Sequence, residues 1–454
     1  MFSYKRRSIF LSILSISLAA GLFYCIFTKP KDKPIPVEDV FSQAPWSKPL
    51  PYLPPLAGVG EVRAENCGKC HVEIYAEWKT STHANALSDL QFQSELSKPS
   101  SPRWLCLNCH TPVANQRETL VDYLNNGDYR SPIEEPNPKF DPKMKEEAVT
   151  CAVCHVRLDE NGNSYILGAN GKTKPPHPVK IVPDQLRNRC LDCHNANYIL
   201  DDQLVCAFNT GIELEQKENS HGKLACGSCH MRELQRKLVK PELNTPIRTS
   251  HKHSFIGGGV PKKFELYEKQ IPGGYRSGLT IEPILWKKKG NDLEYSVSLK
   301  NEKAAHNIPT GDPERFLLLK ISILDPEGRS LADKEIKFGQ EWEWYPKAKL
   351  VADTRILPGE TKVWKDLFTG IEKGYSKIVF EIYHIRLKES NAEHMRKNSE
   401  KVKSYQLRKK ISEIENHYPF SSLVHKEAVD LNSGKSRIYS PEEVFRISKN
   451  RRGE

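Results

Sequence analysis

Apolar residues are scarce in this chain. They make up 38% of its 454 residues, while charged residues make up 28%. A chain of this length has room for two or three domains of ordinary size. With so little apolar material, its core needs help from something other than side chains. Regular hydrophobic periodicity is also missing from Cys67 to about residue 255, where short helical patterns alternate with Pro- and Asn-rich loops such as Ser131 to Pro142. Blocks of like charge are absent too. The net charge of +11 is spread along the chain, which argues against nucleic acid as a partner and leaves an acidic protein or a membrane surface.

The N-terminus reads as a membrane signal. Lys5, Arg6 and Arg7 precede an uncharged stretch from Ser8 to Thr28, and Lys29, Lys31 and Lys33 follow it. Roughly 20 apolar residues rising 1.5 Å each cross a hydrocarbon core of about 30 Å. Ser17-x-Ala19 would pass as a signal-peptidase site, but the apolar run continues beyond it through Phe27. The expectation is therefore an uncleaved anchor over 1–29, with a soluble periplasmic protein after cleavage as the alternative. Phe23 and Tyr24 are too bulky for a lipid attachment signal at Cys25, and the early basic cluster keeps the N-terminus cytoplasmic and the body exported. Eight prolines between Pro30 and Pro55 predict a semi-rigid extended tether over 30–60.

Twelve cysteines are present, and ten of them repeat one pattern: Cys67-x-x-Cys70-His71, Cys106-x-x-Cys109-His110, Cys151-x-x-Cys154-His155, Cys190-x-x-Cys193-His194 and Cys226-x-x-Cys229-His230. Each is the covalent haem c attachment signal. Two thiols on one turn reach the two vinyl groups of a porphyrin, and the next residue lies under the iron as proximal ligand. Zinc pairs usually stand 15 to 20 residues apart and do not require histidine next to each. Disulfides would not require it either. With 15 histidines in 454 residues, five such coincidences do not arise by accident. The sites sit 36 to 45 residues apart. Segments that short cannot build their own cores, so five covalently attached haems, packed against each other, supply one over 61–277.

A second axial ligand separates a carrier from a catalyst. Outside the motifs, His83, His177, His221, His251, His253 and His306 are available in the first 310 residues. His83 is the strongest. It follows the helical pattern "VEIYAEWKTST", which spans roughly 18 Å, so it reaches a haem other than the one over His71. His221 sits just ahead of the fifth site. One of His251 and His253, in "TSHKHSFIGGG", is expected to be a ligand. His177 is presented rigidly by the prolines of "KPPHPVK". His306 opens "HNIPTGDPERFLLL", a stiff loop that would carry it to an iron, with Arg315 near a haem propionate. Met144 and Met231 are weak thioether candidates, and His384, His394, His417 and His425 read as surface or core residues.

From 278 the texture changes. Leu293, Tyr295, Val297 and Leu299 alternate with polar residues, as do Leu317, Leu319, Ile321 and Ile323 before an Asp-Pro-Glu-Gly turn. Period-two runs split by turns predict an antiparallel β-sandwich-like domain over 278–390. The charged extension over 391–454 is expected to hold one solvated helix near Ala392–Ile414 and then irregular structure. The fold class is thus α + β and multidomain.

"CGKCHVEIYAEWKTSTHANAL", "AVTCAVCH", "ACGSCHM" and "HNIPTGDPERFLLL" resemble stretches of the exported multihaem cytochromes c related to the nitrifier tetrahaem cytochrome and, more distantly, to hydroxylamine oxidoreductase. The resemblance covers about residues 60–390. It implies periplasmic electron transfer, mostly bis-histidine haems, closely stacked haem pairs, the five motif histidines as proximal ligands and His83 as a distal one. The chain departs from it at "VCAFNTGIELE", where Cys206 stands alone and reads as a small buried thiol rather than a haem site. The function expected is a membrane-tethered periplasmic cytochrome relaying electrons between redox proteins or within a respiratory complex. The alternatives are an oxidoreductase acting on a small nitrogen or sulfur compound at one open haem, and a quinol-oxidising membrane cytochrome, against which the long tether argues.

Overall fold

This computed structural model describes residues 33–450, apart from 43–46, 169–173, 183–184, 187–188, 201–202, 216–224, 256, 272, 345 and 372–373. The apolar stretch 8–28, with Cys25, and His221 lie outside the described residues. Among the described residues no helix is long and apolar enough to cross a membrane.

The first half is built from small pieces. Its longest helices, Val72–Lys79, Leu90–Ser97 and Arg103–His110, have eight residues each. A three-stranded sheet joins Pro34–Pro36, Thr119–Asn125 and Pro132–Pro136, and further two- and three-stranded sheets lie along the chain. Two modest apolar clusters serve this half. One gathers Val37, Phe41, Trp104, Leu105 and Leu124, and the other gathers Leu53, Leu56, Val113 and Met144.

These clusters correct the expectation of a semi-rigid extended tether over 30–60. Pro34–Pro36 is an edge strand on Tyr123–Asn125, a position that tolerates a missing N–H. Phe41 is fully buried and meets the Trp104 ring edge-on at 5.9 Å. Leu53 is fastened by two hydrogen bonds to the Asn115 side chain, 2.8 and 2.9 Å. Prolines stop the segment pairing with itself, but Phe41, Leu53 and Leu56 give it apolar anchors, so it lies against the body. Met144 is fully buried in the second cluster and serves packing.

The second half is a sandwich. Asp292–Asn301 pairs with Leu279–Ile281 and Leu285–Lys289 along one edge and with Thr361–Phe368 along the other. The facing sheet runs Lys349–Asp353, Ser330–Glu343, Phe316–Leu324, Lys377–Ile385, Ser421–Asp430, Ser436–Ile438, antiparallel throughout. Leu293, Tyr295, Val297 and Leu299 point inward from the first sheet, and Leu317, Leu319, Ile321 and Ile323 from the second. The alternation read from the sequence is the alternation buried.

The tail is a correction. Ser421–Asp430 lies between two strands of the large sheet, so the β region continues past 390. The tail before it is not one solvated helix. Glu389–Lys397 and Tyr405–Ser412 form two helices. Met395, Ile411, Ile414 and Tyr418 pack with Leu90 of the first half. Spacings of three and four between Leu407, Ile411, Ile414 and Tyr418 make the apolar stripe that the high charge of the segment hides.

Candidate functional site

Each motif is wound as a helical turn. The helices Arg103–His110, Cys151–His155, Leu191–His194 and Cys226–His230 each end on the motif histidine. In the first motif His71 instead caps the helix that follows, with its backbone N–H bonded to the Cys67 carbonyl at 2.9 Å. Residues three apart on a turn share a face, so each pair of thiols and its histidine converge. None of the ten motif cysteines forms a disulfide. Close contacts run between motifs instead: the Cys67 side chain lies within hydrogen-bond reach of Cys151, and that of Cys190 within reach of Cys226. Burial pushes the Cys106 and Cys154 thiols up to about 11.

One continuous cavity of about 2890 Å³ receives all five motifs. That is about three times the upper end of the roughly 300–1,000 Å³ of an ordinary ligand pocket. Across it, three motif histidines each face a second imidazole. Ring centroids are 6.1 Å apart for His194 and His83, 6.3 Å for His155 and His253, and 6.1 Å for His230 and His306. Two metal–nitrogen bonds of about 2 Å each would separate facing nitrogens by about 4 Å, and the two half-rings make up the remainder. The donor set therefore fits a metal held between two imidazoles within a flat apolar macrocycle.

The tautomers fit as well. Nδ1 of His71 bonds the Leu238 carbonyl at 2.8 Å, that of His110 the Ala86 carbonyl at 3.0 Å, that of His253 the His251 carbonyl at 2.9 Å and that of His306 the Asn307 carbonyl at 2.9 Å. A carbonyl only accepts, so each Nδ1 carries the proton and Nε2 keeps its lone pair for a metal. Burial favours the neutral imidazole, the metal-binding form. It takes His83 down to about 3 and His110, His194 and His253 down to about 4.

The remaining candidates separate by position. His177 is lowered by burial and by the nearby His71 imidazole. The turn 56–60 packs against its loop and needs a glycine there: Gly58 has φ +76°, and a Cβ on it would stand 2.2 Å from the Pro176 carbonyl oxygen. His251 is different from His253. Its Nδ1 bonds the Met231 carbonyl, and its half-exposed Nε2 faces the Glu233 carboxylate at 4.0 Å. Arg315 lines the cavity with its Nε buried and without a hydrogen bond, and its charge helps lower His194. Cys206 pairs with Tyr198 across a two-stranded sheet.

Two features were not read from the sequence. His384, on Lys377–Ile385, is 8% exposed, bonds the Gly258 carbonyl through Nδ1, and turns an unpartnered Nε2 into the buried interior at the cavity. Its strand neighbours are apolar, so sequence alone marks it as core. The second feature is a buried ion pair beside His110, Lys262 to Asp89 at 2.5 Å. Burial works to raise the Asp89 carboxyl, but the Lys262 charge outweighs it and holds it down to about 2. Its stabilising contribution is therefore present above the ordinary carboxylate range and is lost as pH falls through about 2. Asp89→Ala, which strands Lys262, is expected to cost about 3–5 kcal/mol in urea unfolding of the holoprotein at neutral pH.

The site supports a multihaem cytochrome c with covalently bound haem c, and the comparisons with known proteins agree. Residues 66–156, which hold the first three motifs, match the family model of cytochrome c554 and c-prime. The fold is similar to the crystal structure of a penta-haem cytochrome c552 from Thermochromatium tepidum, with a TM-score of 0.53 and 20% identity, over 82% of this chain and 99% of that one. No curated protein matches the chain.

Proposed function

We propose that this protein relays electrons between redox partners on the periplasmic side of the inner membrane, held there by its N-terminal segment, through five haems c. The reading is carried by the three imidazole pairs at 6.1–6.3 Å. Bound haem iron supplies one-electron redox chemistry. The thiols Cys67, Cys70, Cys106, Cys109, Cys151, Cys154, Cys190, Cys193, Cys226 and Cys229 anchor the macrocycles. His71, His110, His155, His194 and His230 are the proximal ligands. His83, His253 and His306 close the second face over His194, His155 and His230, and His177 does so over His71. Arg315 neutralises a propionate. The basic charge, +11 overall, suits an acidic redox partner. Kinship with the nitrifier tetrahaem cytochrome and hydroxylamine oxidoreductase belongs to the same reading, supported by the family match over 66–156.

A second reading has its own support. Among the described residues no second imidazole packs against His110. Phe92 lies on its ring instead, centroids 3.5 Å apart, and the Lys262–Asp89 pair adjoins it. An open iron there would admit a small nitrogen or sulfur compound. One experiment addresses both readings: pyridine haemochrome analysis to count haems, then carbon monoxide added to the reduced protein. Five haems with no carbon monoxide complex fit a pure relay. One equivalent bound points to the open-haem reading. Fewer than five haems, or complexes at three or more irons, defeat the proposal.

A further inference from the structure

His306 is carried by the β-domain, but the residue that holds its loop is not. The loop 306–310 docks on Glu213, which ends the short helix Thr210–Glu213 of the haem-binding half. Glu213 is 3% exposed. Its carboxylate accepts three hydrogen bonds from the other half: the Asn307 backbone N–H at 3.1 Å, the Thr310 hydroxyl at 2.7 Å and the Arg355 guanidinium at 2.6 Å. Arg355 is in turn fixed by Asp353, with Nη2 to the carboxylate at 2.7 Å. Asn301, on the long strand of the smaller sheet, donates to the His306 carbonyl at 2.8 Å. The helix bearing Glu213 is tied back to the fourth motif, since the Ile212 N–H bonds the side chain of Asn195, the residue after His194.

A buried carboxylate is costly unless its oxygens are bonded. Here the bonds from the other domain come from the loop 306–310 and from Arg355, just past the strand Lys349–Asp353. Undocking would break these three bonds together, along with the contact between the Thr210 and Thr310 hydroxyls at 3.0 Å, so the loop and the helix move as one piece.

We propose that Glu213 is a positioning residue, a latch that holds His306 over His230 and so makes the ligation of the fifth haem conditional on docking of the β-domain. This rests on His306 being the second ligand of that haem. Two consequences follow. The β-domain takes part in the redox centre rather than only covering it, and the fifth haem is the one whose potential responds when the two halves shift.

The test uses the five-haem holoprotein in three forms: His306→Ala, Glu213→Ala and the milder Thr310→Val. The readouts are the ferric high-spin signal, carbon monoxide bound per chain after reduction, and the redox titration. Each is compared with the wild-type protein. His306→Ala is expected to turn one haem in five high-spin and add one equivalent of carbon monoxide. Glu213→Ala is expected to shift the same haem the same way, in a large fraction of molecules, with the haem count unchanged and one step of the redox titration displaced. Thr310→Val should do so in a smaller fraction. Added imidazole should restore the low-spin spectrum in the first two forms, and hydrogen-exchange protection of Asp292–Asn301 at the wild-type level tells an undocked loop from an unfolded domain. If His306→Ala converts a haem and Glu213→Ala leaves spin state and potentials as in the wild type, the latch is overturned while the ligand assignment stands. If His306→Ala converts no haem, the ligand assignment falls and the latch with it.

Discussion

A chain secreted without haem attachment is expected to lose its first half. At about 24 cal/mol per Å³ of cavity, a space of about 2890 Å³ would cost on the order of 70 kcal/mol if it were kept open. That linear scaling is an upper bound for a space this large, but even a tenth of it consumes most of a domain's stability of roughly 5–15 kcal/mol. The modest clusters around Phe41 and Leu53 cannot compensate. The sandwich is in another position: its eighteen-residue buried core lies between its own two sheets and uses no motif residue. With all ten motif cysteines replaced by serine, hydrogen exchange should show fast amides from Leu53 to Leu238 and protected ones in Asp292–Asn301, Phe316–Leu324 and Lys377–Ile385. Protection of the first half at wild-type levels would mean that polypeptide, not pigment, forms its core.

The second large effect separates two neighbours that sequence could not. His253→Ala is expected to convert the haem carried at His155 from six- to five-coordinate, with one added equivalent of carbon monoxide and a new high-spin band. His251→Ala should leave spin state and carbon monoxide binding unchanged. The reason is in the placement. The His253 ring faces His155 at 6.3 Å, and its backbone N–H is held by Glu77 at 3.0 Å. Glu77 is itself clamped by Arg236 through two bonds of 2.8 and 3.1 Å. His251 looks outward to Glu233. The opposite result, with His251→Ala producing the open haem, would reverse the assignment.

What the sequence carried was local. Five Cys-x-x-Cys-His turns are legible because spacing within one turn fixes the chemistry. The strand Asp292–Asn301 is legible because period two is a local property. Pairings between motifs are not local. That His83 meets His194, more than a hundred residues on, depends on how short segments wrap around a shared cavity, and no periodicity encodes it. His384 was hidden for the same reason: only Gly258, from a distant loop, shows that its ring is oriented. In the Pro-rich stretch and the tail, average composition points one way and a few individual anchors another. Phe41 and Leu53 decide the first, and Ile411 and Tyr418 the second. Because the described residues of 33–60 lie packed on the body, the segment also loses its value as a spacer, and the objection it raised to a quinol-oxidising role goes with it.

The placement of Ser421–Asp430 within the large sheet sets a timetable. If the chain is exported N-terminus first, all five motifs, the last ending at His230, emerge before that strand, and domains close in the order they are delivered. Haem attachment to such a chain would come while the large sheet still lacks Ser421–Asp430, the strand that adds onto Lys377–Ile385. In that order the β-domain, and with it the loop bearing His306, would be completed last.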